Sequence, residues 1–235
     1  LETTYDGRGD LWAIEVPEPA TGSITVKRLT GTKPVAVTVA GGPKSSFFGL
    51  VEGGGVIVST QGGTIAIKSD GEIVKLHKWN FAQVLFADGT QCGSGTKSLR
   101  CANPAGEVRE LGSYAPTKIE LIGDRIVLNR WRAVDGAVED RSEIFDPTTD
   151  QSVLLPNRLS DYVRGPSGEL FAKRDAVSTA NAVNVFVQVT RDGIVPFDDG
   201  DPIYQAEFAK GIDQILVLKD AYLLRRGTNY TRVLR

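Results

Sequence analysis

A single all-β domain over residues 1–235, a six-bladed β-propeller of four-stranded antiparallel blades, is the fold class that this sequence predicts. Three observations predict it. Short runs that are apolar, or that alternate apolar with polar, are separated by Gly-Gly, Asp-Gly and Ser-Gly pairs. The runs come in fours, and the fours recur with a period of roughly 40 residues. No stretch of a dozen residues places apolar side chains at i, i+3, i+4 and i+7 with a cap ahead and a glycine behind.

The quartet is plainest over 46–80. Runs at 47–51, 56–60, 64–68 and 72–76 are separated by Gly53-Gly54-Gly55, Gln61-Gly62-Gly63 and Ser69-Asp70-Gly71. Two-residue hairpin turns require positive φ, which glycine adopts without a Cβ penalty, so these pairs make the neighbouring strands antiparallel. Upstream, 1–5, 11–16, 23–29 and 35–39 form a first quartet in 1–45. The third, in 81–116, reads 82–86, a strand near Gln91, 98–102 and 107–111.

The fourth quartet, in 117–158, reads 117–122, 125–131, 141–145 and 152–155, with a longer hairpin through Asp135-Gly136 in its middle. The fifth, in 159–202, reads 159–164, 169–174, 183–190 and 194–197. The sixth, in 203–235, reads 203–208, 214–218, 222–226 and 230–234. One blade alone would expose both faces, and only a closed ring shelters each apolar face against the next blade. A β-sandwich or jelly roll also has many short strands, but it has no repeating quartet.

Composition narrows the function. Hydrophobic residues make up 41% of the chain and charged ones 24%, enough for a real core and too little charge for disorder. The 27 basic and 29 acidic residues nearly cancel and are scattered, so no basic stripe is available for phosphates and nucleic acid is not an expected partner. The apolar runs fall far short of a spanning helix, so no transmembrane segment is expected. The chain has no Met and starts at Leu1 without a charged or apolar leader, which reads as a processed or trimmed piece of a precursor.

Cys92 and Cys101 flank a Gly93-Ser94-Gly95 turn, so a disulfide across a hairpin is expected, and with it an oxidising compartment. Two free thiols or half of a metal site is the alternative. Zinc needs more ligands than these, and His77 is the one histidine of the chain, so neither a structural metal site nor a cofactor is expected.

The turn-then-strand pieces Phe86-Ala87-Asp88-Gly89, Arg164-Gly165-Pro166-Ser167-Gly168-Glu169-Leu170-Phe171 and Thr190-Arg191-Asp192-Gly193 resemble blades of the bacterial β-propeller superfamily of the NHL and TolB kind. The resemblance runs the length of the chain as a pattern and implies a propeller. The chain departs from WD repeats in lacking a Trp-Asp dipeptide, and from kelch repeats in lacking their Gly-Gly, Tyr and Trp spacing.

Candidate chemistry is sparse. His77 falls at the end of an outermost strand, the wrong place for a general base at a channel mouth. Asp198-Asp199-Gly200-Asp201 and the pair Asp6 and Asp10 are the densest acidic groups, but neither has the EF-hand spacing. The glycines at 53–55 and 62–63 do not open a helix, so they do not read as a phosphate loop. Arg8-Gly9-Asp10 matches an integrin-binding tripeptide and Asn229-Tyr230-Thr231 a glycosylation sequon, both short enough to arise by chance.

Two long connections, 131–141 and 173–183, join second and third strands and should project from one face. The first carries Arg130, Trp131, Arg132 and Arg141, the residue types favoured in interface hot spots, and these are the expected binding residues. The expectation is therefore a non-catalytic propeller, secreted, periplasmic or on the cell surface, that offers one face to a protein or glycan partner. The alternative is a propeller hydrolase or lyase acting on a sugar or lactone with metal assistance. A third reading makes the chain one repeat array of a larger surface protein.

Overall fold

A computed structural model describes residues 1–16, 22–76, 82–112, 115–134, 136–156, 158–174, 185–196, 214–218, 220–226 and 228–234. Among these are twenty-three strands and no helix. The first sheet holds β1 (Glu2–Tyr5), β2 (Leu11–Glu15), β3 (Ser23–Arg28) and β4 (Val35–Ala40) in that order. The second quartet is β5 (Ser46–Val51), β6 (Gly55–Thr60), β7 (Gly63–Lys68) and β8 (Ile73–Lys75), and the third is β9 (Ala82–Leu85), β10 (Gln91–Ser94), β11 (Leu99–Ala102) and β12 (Val108–Leu111).

Two further four-stranded sheets follow: β13 (Lys118–Ile122), β14 (Arg125–Val134), β15 (Ala137–Phe145) and β16 (Ser152–Leu154), then β17 (Leu159–Arg164), β18 (Leu170–Arg174), β19 (Val185–Thr190) and β20 (Gly193–Pro196). The last sheet has three described strands, β21 (Gln214–Val217), β22 (Ala221–Arg226) and β23 (Asn229–Leu234). The strand expected over 203–208 lies outside the described residues, as do His77, Asp198, Asp199 and Asp201.

Within every quartet, consecutive described strands pair antiparallel. Two features depart from the sequence expectation. The connection expected over 131–141 is mostly ladder, for β14 and β15 stay paired as far as Val134↔Ala137. The second and third quartets are also fused into one eight-stranded sheet, because β5 and β9 pair in parallel at Leu50↔Val84 and Val51↔Leu85. Gly49 is the physical reason: it sits where the register of β5 slips, and a Cβ there would lie 1.9 Å from the Gln83 carbonyl oxygen. A side chain at 49 would hold the two strands apart.

Apolar clusters stitch each quartet to the next. Trp12, Ile14, Ile24 and Val26 of the first pack on Val56, Val58 and Ile67 of the second. Val51, Ile57 and Ala66 meet Leu85 of the third, whose Phe86, Leu99 and disulfide cysteines face Ile119, Leu121, Ile126 and Leu128 of the fourth. Val127 and Ile144 pack on Leu159, Leu170 and Val187 of the fifth. Its Phe171 and Phe186 cover Ile215, Val217 and Leu224 of the sixth. The first strands gather: β1 lies against β5, and both β5 and β9 lie against β13.

One turn ties these strands together. Asp6 is fully buried, and its carboxylate accepts from the backbone N–H of Arg8 (2.9 Å) and Asp10 (3.0 Å), from Trp12 Nε1 (2.9 Å) and from Gly55 N (2.8 Å). The turn then reaches the fourth and fifth quartets. A Cβ on Gly7 would meet Leu121 at 3.7 Å, and one on Gly9 (φ +84°) would overlap the Pro166 carbonyl at 2.2 Å.

Cys92 and Cys101 form the expected disulfide, directly opposite each other across β10 and β11 with Cα atoms 4.2 Å apart. Bridging residues 9 apart stabilises the fold by about 2–3 kcal/mol in the chain-entropy picture. Guanidinium unfolding with and without reductant should show a loss of that size. The Asp6→Ala variant should cost more, about 2–6 kcal/mol, because it strands the buried Trp12 Nε1 and Gly55 N donors at about 1–3 kcal/mol each. Asp6→Asn should rescue little, since its NH2 must face one pair of those donors; thermal melts of the two variants would check this.

Candidate functional site

The first strands of five quartets line a half-open cavity of 220 Å³. Thr4 and Tyr5 come from β1, Phe47 and Phe48 from β5, Gln83 from β9, Lys118 and Glu120 from β13, and Tyr162 and Arg164 from β17. Lys118 and Glu120 share one face of β13 because strand side chains alternate. The slip of β5 between Phe47 and Gly49 places two consecutive phenylalanines on the wall.

A relay of charge runs inward from the mouth. Lys118, with its side chain 52% exposed, pairs with Glu120 Oε1 at 3.0 Å. Glu120 Oε2 lies 3.6 Å from Arg164 Nη2, and Arg164 is only 8% exposed. Arg164 donates to the carbonyl oxygens of Leu121 (2.5 Å) and Gly168 (3.1 Å). Burial lowers the Arg164 pKa, while the nearby carboxylates of Glu120 and Asp6 act to hold the proton. The guanidinium stays charged.

Tyr162 belongs to a second network. Its hydroxyl donates to Asn129 Oδ1 at 3.0 Å, and burial pushes the phenol well above its ordinary range, so it acts as a neutral donor. Ser142 Oγ also donates to Asn129 Oδ1 (2.5 Å) and accepts from Leu159 N (2.7 Å), while Asn129 Nδ2 donates to Leu159 O (2.6 Å). These bonds lock β14 and β15 to the start of β17.

β5 and β9, each the first strand of its quartet, run parallel, and the Asp6 turn follows directly on β1. A second cleft, of 410 Å³, is lined by Thr117, Arg158, Ser160 and Asp161. Lys118 and Tyr162 border both spaces, so the cleft adjoins the cavity. The β14–β15 extension projects beyond β13: the last pair between β13 and β14 is Lys118↔Asn129, and the ladder continues beyond it.

The expected binding residues divide by strand alternation. Arg130 is buried; its guanidinium pairs with Glu143 at 2.6 Å, lies over the Phe145 ring and donates to Leu111 O. Arg141, directly opposite Arg130, donates to Pro156 O at 2.5 Å. Trp131 points to the other face and is 46% exposed. Opposite it stands Asp140, paired with Arg158 at 2.8 Å at the rim of the cleft. Arg132 lies in β14, with its side chain outside the described residues. The structure therefore leaves Trp131 half exposed beside the Asp140–Arg158 pair and ties Arg130 and Arg141 to neighbouring chain.

The acidic pair of the first turn is used internally, Asp6 by four N–H donors and Asp10 by Arg28 at 3.3 Å. That pairing and the burial of Gly9 keep Arg8-Gly9-Asp10 from standing out as a free loop. Asn229 opens the exposed strand β23. Most of 173–183 lies outside the described residues, and among the described ones no three His, Cys, Asp or Glu side chains gather as a metal site.

Sequence reasoning did not find Gln83, Lys118, Glu120, Tyr162 and Arg164. The signal available was a polar residue at every second position of a first strand, where burial would favour apolar ones. Arg130→Ala should cost about 3–5 kcal/mol by leaving Glu143 buried without its cation. Trp131→Ala should leave stability within about 0.5 kcal/mol of the parent. Urea titration of the two variants separates the structural arginine from the free tryptophan.

No protein-family model matches this sequence, and comparison with curated proteins found no match. Among solved structures, the chain is similar to one described as the crystal structure of the tricorn protease, with TM-score 0.44 and 12% identity over 95% of this chain and 26% of that one. It is also similar to one described as the crystal structure of the mitotic checkpoint complex, with TM-score 0.39 and 7% identity over 100% of this chain and 88% of that one. The chain thus spans about a quarter of the tricorn protease chain.

Proposed function

We propose that this chain is a non-catalytic, six-bladed propeller module of the NHL and TolB kind, exported to an oxidising compartment, that binds a glycan at the end bearing the β14–β15 extension. The observation that carries the reading is the cavity with its adjoining cleft and a half-exposed tryptophan beside the Asp140–Arg158 pair. The lining sets Tyr5, Phe47, Phe48 and Tyr162 beside Thr4, Gln83, Lys118 and Glu120. Aromatic rings cover the C–H faces of a sugar while polar neighbours take its hydroxyls.

Sequential packing of the quartets supports the radial arrangement, and the disulfide supports the compartment. Glycan fits better than a flat protein partner because the recognition groups line a recess. The hydrolase alternative wants two carboxylates roughly 5–9 Å apart flanking the bond. Among the described residues this cavity offers Glu120, already paired with Lys118 and Arg164.

A glycan array probed with the intact protein tests the reading. Discrete glycan hits are expected, with affinity falling about thirtyfold or more in Trp131→Ala, the loss typical of an aromatic anchor worth about 2 kcal/mol. Full binding by that variant would move the site to another surface. Silence on the array together with a co-purifying protein would replace the glycan by a protein partner, and sugar released from a hit would restore the hydrolase.

A further inference from the structure

We propose that a groove separate from the cavity binds an organic cation, an alkylammonium or guanidinium group carried on an apolar stem. The groove is half open and holds 550 Å³, within the range of about 300–1,000 Å³ that small-molecule sites occupy. It is built mainly from the turns that follow β5, β9, β11, β13 and β15, and it shares no lining residue with the cavity or its cleft.

Charge is the first ground. Glu52, Asp88 and Asp124 bring three carboxylates to the wall against one cation, Arg109. That cation is answered from outside the groove: Arg109 pairs with Asp150 at 3.1 Å, and it donates to Pro147 O at 2.6 Å. Asp124 holds Arg191 of the fifth quartet at 2.9 Å, so this wall already takes one guanidinium. Glu52 accepts from Ala87 N at 2.8 Å, and Asp88 accepts from Thr90 N at 2.8 Å and Thr90 Oγ1 at 2.9 Å. Among the described residues neither carboxylate has an ion-pair partner. A recess lined by one sign of charge concentrates ions of the other, even on a chain whose net charge is only -2.

The spread of the charges is the second ground. Among the described residues no three carboxylates gather as a metal site, so these act singly, as acceptors for N–H donors. Phe86, Ala87 and Pro147 add apolar wall beside them. A lysine-like or arginine-like stem lays its methylenes on such a surface while its head stays with a carboxylate. The wall is also fixed before any ligand arrives: the Glu52 bond to Ala87 ties the second quartet to the third, and the Cys101 of the disulfide lies in the lining.

The shared chemistry has two sources, a free amine and a lysine side chain of a peptide, and the test has an arm for each. Amide NMR titration of the intact protein with hexylammonium, against hexanol and hexanoate as neutral and anionic controls, tests the class. A blocked lysine-centred peptide and its acetyl-lysine counterpart test the source. Hexylammonium should give saturable shifts at Ala87, Thr90 and Asn103, and the controls should not. Tighter binding by the lysine peptide assigns the site to a side chain, and tighter binding by hexylammonium assigns it to a free amine. Glu52→Gln and Asp88→Asn each keep an oxygen for the backbone N–H and lose the charge, so each should weaken binding about two- to fivefold, and the double variant about tenfold, with melting unchanged. Equal binding of hexanol, hexanoate or the acetylated peptide, shifts confined to other residues, no saturable shift with either cation, or unchanged affinity in the folded double variant would each overturn the proposal. Should the double variant melt below the parent, added salt decides, because screening must weaken the binding of the parent. The glycan reading stands or falls separately, since its residues lie in the other recess.

Discussion

The Asp6 carboxylate is the interaction on which the arrangement of the inner strands depends. A carboxylate offers about four lone-pair positions, and here four N–H groups use them: two from its own turn, one from the Trp12 indole and one from Gly55 in the second quartet. Hydrogen bonds to an ionised acceptor are roughly twice as strong as neutral ones, and burial removes the competition of water. The group therefore acts as a fastener between two sheets. The turn it shapes is also the segment that lies against Leu121, Pro166 and Gly168, far along the chain.

That fastener also fixes the sheets it joins more tightly than apolar packing would. Apolar clusters between consecutive quartets are non-directional and would tolerate small rotations of one sheet on another. The turn at Asp6 is less tolerant, because Gly9 and Gly168 bring backbone against backbone with no room for a Cβ. The β14–β15 extension lies away from that turn, where the ladder continues past the last β13–β14 pair. Rigid strands with variable connections at one end are the usual way a stable scaffold carries a site.

Much of the fold was legible from local chemistry. The Gly-Gly and Asp-Gly turns put every described strand within a few residues of its expected place, and the disulfide followed from two cysteines flanking a turn. The fusion of β5 with β9 was not legible, because it depends on one missing Cβ at Gly49 meeting a carbonyl from another quartet. The site was legible only in part. Arg130 and Trp131 were singled out by residue type alone, and the period of two along the expected strand 125–131, which buries the first and exposes the second, was not used to tell them apart. The cavity could not be seen at all, since its wall is assembled from six strands far apart in sequence.

The burial of Arg130 also explains how the extension can project without loosening the sheet beneath it. A ladder that runs beyond its flanking strands exposes both faces, and a two-stranded ribbon is marginal by itself. Here the ribbon is anchored at its base on both sides. On one face Arg130 bonds Glu143 and stacks on Phe145, and on the other Asn129 and Ser142 are tied to Leu159 and Tyr162. The first exposed position past that double anchor is Trp131. The double anchor beneath it fixes the backbone that carries this half-exposed aromatic.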